Sequence, residues 1–293
     1  MPSPSTDPLD RLAALVDVGS AHIGIESDAQ LMLAVSGGPD SIAMLQGAAR
    51  LVAATAALGL PLERRRTDVA ALARAEGRSI EEAGRDARYR FFDEVAPVGA
   101  VIATAHTRDD VAETVLINLL RGTGMAGMAG IPARRDRIVR PLLDARRAGL
   151  RALLDAAGIA YRLDPSNDDA SFLRNRVRAE LLPSMESIRP GAIDRIGRYS
   201  RLAADDDALL DRLAATELAG RTAEDGAIDW HRPPIEALAR RVLRLAIGDP
   251  APSAERVEAL LDAARGDRGG VRIELGGGRA ASVHGRLIRI ERS

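Results

Sequence analysis

The sequence predicts an α/β fold, a parallel-sheet layer sandwich, followed by a second, mainly helical domain that ends in short strands. Three observations carry this. Short apolar runs at Leu31–Val35 and Ala100–Ala105 alternate with longer Ala- and Leu-rich stretches, the strand–helix alternation of a parallel sheet. Past Pro183 that alternation gives way to acid-rich helical stretches. The tail then sets Val271, Ile273 and Leu275 before Gly276-Gly277-Gly278, and Ala281, Val283, Leu287 and Ile290 after it, which reads as strands joined by tight turns.

Taken in order, Asp7-Pro8 opens a helix carried by Leu9, Leu12, Leu15 and Val16 to about Gly19. Leu31–Val35 (LMLAV) stops at Ser-Gly-Gly and reads as a buried parallel strand. Ser41–Leu58 holds no breaker except Gly47 and reads as helix; Asp68–Val95 reads as a second helical stretch. Ala100–Ala105 (AVIATA) is another buried strand and Asp109–Arg121 a helix, followed by a glycine-rich loop to Pro132. Ile138–Pro141 reads as a strand, and Asp144–Ala157 as a helix ended by Gly158. A linker near Pro183–Pro190 sets expected domains of 1–183 and 184–293. In the second, Ile188–Leu218 is helical and carries Asp205, Asp206, Asp207 and Asp211, and two more helical stretches follow Pro233-Pro234.

Composition narrows the chemistry. With 293 residues, 46% of them hydrophobic but only seven aromatic, the core is built from Ala, Leu, Val and Ile. The absence of cysteine excludes disulfides, thiolate metal sites, iron–sulfur clusters and cysteine nucleophiles in this chain. Lysine is absent too, so all 41 basic residues are Arg and no side-chain amine can form a Schiff base. Against 42 acidic residues the net charge is −1, so any surface for a polyanion is local. Met1–Leu9 lacks a basic region followed by an apolar run, and no stretch of eighteen apolar residues exists, so a cytoplasmic protein without membrane contact is expected.

The sharpest motif is Ser36-Gly37-Gly38-Pro39-Asp40-Ser41, directly after an apolar strand and before a helix. Glycines let a backbone approach an anion, a helix N-terminus offers unpaired N–H groups, and serines add hydroxyl donors, so the loop suits phosphate. Asp40 would repel a naked phosphate, which points to bound Mg2+ or to a structural cap. The loop resembles the pyrophosphate loop (PP-loop) of the N-type ATP pyrophosphatases. There is no G-x-x-x-x-G-K, and Gly122-Thr123-Gly124-Met125-Ala126-Gly127, which matches G-x-G-x-x-G, follows a helix where a dinucleotide site follows a strand.

A second constellation runs from Ala105-His106-Thr107 through Asp110, Glu113 and Thr114, at a strand end entering a helix. At about 100° per residue Asp110, Glu113, Thr114 and Arg121 share one face. Two carboxylates there could hold an ammonium group or a metal; acids at a helix N-terminus also answer its dipole. With four scattered His, a histidine metal cluster is not expected. The third constellation is Asp164-Pro165-Ser166-Asn167 followed by Arg174-Asn175-Arg176-Val177-Arg178. Between Arg134 and Arg178 stand eleven Arg against six acids, a patch suited to phosphate oxygens or a solvated face.

In this order and spacing, the SGGPDS loop, AHTRDDVAETVLINLLRGTGMAGMAGIP, the RPLL of Arg140–Leu143, DPSN and RNRVRAELLP resemble the tRNA(Ile)-lysidine synthetase family, over about Leu31 to Pro183. The resemblance implies an adenine nucleotide alpha-hydrolase-like fold. It also implies a ligase that uses ATP and Mg2+ to adenylate the wobble cytidine of an isoleucine tRNA with a CAU anticodon, then lets free lysine displace AMP. By that resemblance Ser36, Gly37, Gly38, Pro39, Asp40 and Ser41 bind ATP, with Asp40 toward Mg2+. Asp40, His106, Asp110 and Glu113 form the catalytic set, Asp110 and Glu113 hold lysine, and Arg140, Arg174, Asn175, Arg176 and Arg178 face tRNA. A homodimer leaves no sequence pattern of its own and stays open. This chain carries His106-Thr107 where the family usually has two histidines. Only seventeen residues separate Ser41 from Gly59, too few for the family's second strand, since a βαβ unit takes roughly 30. Another ATP-dependent amidating or tRNA-modifying ligase, or a non-catalytic nucleotide- or tRNA-binding relative, are the competing readings.

Overall fold

The structure, a computed structural model, describes residues 5–26, 29–52, 63–162, 173–249, 251–266 and 270–292. It divides into two compact units, Met1–Arg201 and Leu202–Ser293.

In the first unit, α1 (Pro8–His22) starts on Asp7, whose carboxylate accepts the Leu9 N–H at 2.9 Å, with Pro8 at the first helical position. Then come β1 (Leu31–Ala34), α2 (Pro39–Val52), α3 (Val69–Glu76), α4 (Ile80–Val95), β2 (Val101–Thr104), α5 (Arg108–Leu120) and the single turn α6 (Met125–Met128). A hairpin of β3 (Arg134–Arg135) and β4 (Ile138–Val139) leads to α7 (Arg147–Ala156). Last are α8 (Leu173–Arg176), a π-helical turn (Val177–Leu181), α9 (Leu182–Ile188) and the long α10 (Ala192–Arg221), within which the division between units falls.

The sheet order is β1-β2-β4-β3, with β1, β2 and β4 parallel and β3 antiparallel. Period-two alternation sends apolar residues to both faces, as a parallel sheet between helices requires. Leu31, Leu33, Val101 and Ala103 pack toward Leu12 and Val16 of α1, Met44 of α2 and Leu150 and Leu154 of α7. Met32, Ala34, Ile102 and Ile138 pack toward Tyr89, Phe91 and Phe92 of α4, which puts three of the seven aromatics on one face. Gly47 shows its reason here: a Cβ on it would lie 2.6 Å from the Leu12 carbonyl oxygen, so the glycine lets α1 and α2 touch backbone to backbone.

Several expectations need correction. β1 is half-buried along its whole length, not buried, because among the described residues β2 is its sole hydrogen-bonded neighbour and one edge lacks a partner strand. Asp68–Val95 is two helices: Gly77 takes a left-handed φ of 62° and Ser79 caps α4 in a reciprocal box with Glu82. That S-x-x-E signature was present in the sequence. The helix expected from Asp144 begins at Arg147, after a turn in which the Ala145 N–H bonds the Leu142 carbonyl. Ile138–Pro141 contributes only Ile138–Val139, in a hairpin whose turn residue Asp136 has φ 53°. Pro183 lies inside α9 and not in a linker, and helix continues past it. The end of the expected Ser41–Leu58 helix and the Asp164–Asn167 motif lie outside the described residues.

The second unit holds β5 (Ile228–Asp229), α11 (Glu236–Ile247), α12 (Ala254–Arg265), β6 (Val271–Glu274), β7 (Arg279–His284) and β8 (Leu287–Arg292). Its antiparallel sheet runs β5-β8-β7-β6. Trp230, Val242, Leu243, Leu260, Leu261, Leu275 and Ile288 form the core between sheet and helices. The tail strands are as expected, with short β5 the addition.

Candidate active site

The site forms where β1 and β2 end and α2 and α5 begin, the side of a parallel sheet on which ligands collect. After β1 the loop turns on Gly37 at φ 88°, a value open to glycine at little cost. The Gly38 carbonyl accepts the first helical bond, from the Ile42 N–H at 3.0 Å, and also the Ser41 hydroxyl at 2.9 Å. Ser41 Oγ accepts the Ser36 N–H at 3.2 Å and lies 3.3 Å from Ser36 Oγ. The two serines thus brace the bend from inside, and the Gly37 carbonyl is held by the Arg162 N–H at 2.9 Å. This is a closed turn on the N-terminus of a 14-residue helix, the geometry for an anion.

α5 starts at Thr107, fully buried, whose N–H and hydroxyl both donate to Asp110 Oδ2, at 2.8 and 2.7 Å. Thr107 therefore orients Asp110. The i, i+3 spacing puts Glu113 on the same face one turn on, at 0% exposure. α7 lacks a cap of its own, and Asp109 supplies one from α5: its Oδ2 accepts the Arg147 N–H at 2.9 Å. That bond fixes Arg147 at the centre of the site.

Arg147 touches three carboxylates. Its Nε donates to Asp40 Oδ2 at 3.0 Å, Nη2 to Asp110 Oδ1 at 2.7 Å and Nη1 to Glu113 Oε1 at 3.1 Å. Arg178 adds a two-pronged grip on Glu113, Nε to Oε1 at 2.7 Å and Nη2 to Oε2 at 2.9 Å. It projects from the π-helical turn, a rare geometry that recurs at functional sites. Arg174 lies 3.7 Å from Glu113 and donates to Thr114 Oγ1 at 3.2 Å. Asp40, Asp110 and Glu113 are thus balanced by Arg147, Arg174 and Arg178. The balance is what makes their burial tolerable, since an unpaired buried charge costs several kcal/mol.

Burial pushes the Asp40 carboxyl above its ordinary range, and Arg147 only partly opposes that. Its Oδ1 is buried with no hydrogen-bond partner among the described residues. For Asp110 burial pushes upward as well, but Arg147, His106 and the Thr107 bonds prevail and hold it below the usual carboxylate value. On Arg147 burial works against the charge, yet Asp110, Glu113 and Asp40 keep it above the ordinary arginine range. His106, with Nδ1 3.0 Å from Thr104 Oγ1, is lowered to about 4, chiefly by burial. It is neutral at pH 7.

The expected residues separate into groups. Ser36–Ser41, His106, Asp110, Glu113, Arg174 and Arg178 come together. Arg140 does not face a partner surface: at 3% exposure it donates to the Pro132 carbonyl at 2.7 Å and anchors the loop. That corrects its expected place on a tRNA surface: the guanidinium is instead buried beside Tyr89, Arg85 and Arg135. Arg176 is exposed and pairs with Glu180 at 3.3 Å, and Asn175 is half-buried. Arg121 is exposed at the far end of α5. Arg147, Asp109 and Thr107 were not foreseen. Arg146-Arg147 after RPLL was visible, but the pairing spans 107 residues of sequence and leaves no local pattern. Two further arginines brace this arrangement: Arg108 donates to Asp194 at 2.7 Å and Arg146 to the same carboxylate at 3.1 Å, tying α5 and α7 to the first turn of α10.

A PP-loop domain model matches residues 49–185, a range that begins after the Ser36–Ser41 loop. A tRNA(Ile)-lysidine synthase of Salinispora tropica is 38% identical over 244 residues, 71% of this chain and 72% of that protein. The chain belongs to the tRNA(Ile)-lysidine synthase family. The family's proteins from Geobacter sulfurreducens and Thermus thermophilus are each 39% identical, over 82% and 64% of this chain. The chain spans only 59% and 42% of their respective lengths. Among solved structures, a U34-tRNA thiolase from Methanococcus maripaludis is 16% identical with a TM-score of 0.48, covering 67% of this chain and 79% of that one.

For the family's PP-loop fold, the observed parallel sheet with helices on both faces is the expected architecture. No helix among the described residues is long and apolar enough to cross a membrane. No group of three or more His, Asp or Glu among them would hold a metal by itself. Mg2+ at a nucleotide site takes only one or two carboxylates beside substrate phosphates, so the partnerless, buried Oδ1 of Asp40 fits such an ion.

Proposed function

We propose that this chain joins free lysine to the wobble cytidine of an isoleucine tRNA bearing a CAU anticodon, by ATP-dependent adenylation of the base with release of pyrophosphate and then AMP. One observation carries the reading. Asp40 of the phosphate-type loop and the Asp110–Glu113 pair converge on a single cation, so a nucleotide site and an ammonium site adjoin. The setting is cytoplasmic.

Ser36, Gly37, Gly38, Pro39, Asp40 and Ser41 would cradle the ATP phosphates, with Asp40 Oδ1 toward Mg2+, which when bound would neutralise charge on the departing pyrophosphate. Asp110, held ionised, accepts an ammonium hydrogen bond and sets the amine beside the adenylated base. The amine attacks that carbon, the bond to AMP breaks, and the nitrogen's proton must leave. A carboxylate held well ionised is a weak base, so Asp110 positions more than it abstracts. His106, with a conjugate acid near 4, is also a weak base and serves as a neutral hydrogen-bonding wall. Arg174, Asn175, Arg176 and Arg178 line the approach for RNA phosphate or the adenylate, with Arg176 the most exposed.

The test is incorporation of labelled lysine into unmodified isoleucine tRNA by the full chain with Mg2+ and ATP. Label entering RNA only when ATP is present supports the proposal. Retention of tRNA without label, and without pyrophosphate release, replaces it with a non-catalytic binding role.

A further inference from the structure

Arg147 bonds both to the residue assigned to the nucleotide, Asp40, and to the pair assigned to lysine, Asp110 and Glu113. Its guanidinium occupies the point at which those carboxylates would receive an ammonium group. Asp110 has no idle oxygen: Oδ2 is taken by Thr107 and Oδ1 by Arg147. A lysine entering this arrangement finds its acceptor in use and the carboxylates already neutralised.

We propose that Arg147 is a positioning residue that keeps the lysine pocket filled until nucleotide arrives, so that ATP binds before lysine. This rests on the lysidine-forming reading of the site.

Three observations support the exchange. Asp40 Oδ1 has no partner among the described residues, so this carboxylate holds Arg147 with one oxygen and keeps the other for a harder cation. Arg147 sits one side chain from the loop, and a planar guanidinium pairs with phosphate oxygens at least as well as with carboxylate. Glu113 keeps the two-pronged grip of Arg178 when Arg147 leaves, so the buried carboxylate is never without a counter-charge. A guanidinium that trades Asp40 for a triphosphate oxygen swings toward the loop. Asp110 Oδ1 then retains Arg178 Nη2 at 3.7 Å, too long for a hydrogen bond, and becomes the acceptor on which an ammonium can dock. The same Arg that blocks lysine without nucleotide thus gains an anionic partner when nucleotide is present, and the two ligands couple through one side chain.

The test is calorimetric titration of the full chain with L-lysine, with and without magnesium and a non-hydrolysable ATP analogue, for the unaltered chain and for Arg147→Gln. The unaltered chain is expected to bind lysine about tenfold more tightly, or better, with the analogue present. Arg147→Gln is expected to bind lysine equally with and without it, and to bind the analogue about tenfold more weakly. Equal lysine affinity of the unaltered chain in both conditions overturns the proposal, as does nucleotide dependence that survives in Arg147→Gln. If lysine binds in neither condition, the lysidine-forming reading fails. The analogue affinity of Arg147→Gln then decides the role of Arg147 alone, and no change there rejects it. Should Arg147→Gln not fold, Arg147→Lys, which keeps the charge without the fork, is measured instead. Its two affinities are expected to move in the same directions, and affinities that stay put reject the role.

Discussion

Asp40 gives one carboxylate oxygen to Arg147 at 3.0 Å and keeps the other buried without a partner among the described residues. The two residues begin α2 and α7, so a single bond joins the two helix starts that frame the site. Its asymmetry separates Asp40 from Glu113, which meets the same guanidinium but has both oxygens engaged.

Asp40→Asn is therefore expected to stabilise the ligand-free chain. Its folded carboxyl lies above the unfolded value, so ionising it is harder in the fold and opposes folding at neutral pH. Asparagine keeps an oxygen for Arg147 and removes the charge, for a gain of about 1 kcal/mol. Denaturant midpoints at pH 7 measure it, alongside ATP-dependent pyrophosphate release, which should vanish. A less stable variant contradicts the account.

Glu113→Gln should do the reverse. Glu113 is wholly buried and faces three guanidiniums, and removing its charge takes away the carboxylate that all three share. The loss is expected to be about 3 kcal/mol or more. Two acids that share one arginine thus carry opposite signs of stability change, and the same denaturation series reads both.

Much of this was legible. The strand–loop–helix at Leu31–Ser41 follows from an apolar run, two glycines and capping residues, all local. Asp110 and Glu113 share a face by helical period alone. Arg147 was not legible, because what singles it out from Arg146 is a backbone bond to Asp109 and a side chain turned toward three distant carboxylates. Arg140 misled for the converse reason: a basic residue in an Arg-rich stretch reads as surface, yet here Pro132 and the loop enclose it. The exposure of β1 could not be read either, since an apolar strand does not announce how many neighbours it has.

Thr107→Val tests whether Asp110 is oriented from its N-cap. The substitution keeps the shape but removes the hydroxyl that donates at 2.7 Å, leaving the N–H bond in place. A loss of about 1 kcal/mol in stability is expected. On the proposed reading, in which Asp110 holds the ammonium, the KM for lysine should rise more than kcat falls. Thr107→Ser, which restores the donor, should recover both.

Arg176 offers a contrast on the surface. It is 59% exposed and pairs with Glu180 one turn on, an arrangement worth little to stability. Arg176→Ala should leave stability within about 0.5 kcal/mol. If it meets an RNA phosphate, tRNA affinity should weaken and the slope of log affinity against log salt should shrink by about 1. An unchanged slope removes it from the RNA surface.

His106 gives the acid side of the stability profile a distinct window. Its folded pKa of about 4 lies below the ordinary 6.5, because burial disfavours the imidazolium. Between those values the unfolded chain binds the proton and the folded chain does not, so protonation favours unfolding. Stability due to this residue is complete above pH 6.5 and falls as the pH drops toward 4, by about 3 kcal/mol over the window. Asp110, whose folded value is depressed, contributes stability that is present above about pH 3.9 and is lost only below it, so the two effects do not overlap. Denaturant unfolding of His106→Gln across pH 4 to 7 isolates the term: glutamine keeps a hydrogen-bonding group for Thr104 but cannot titrate. The variant's curve should be flatter than the parent's by that amount, and parallel curves would show that the imidazole titrates alike in the folded and unfolded chain.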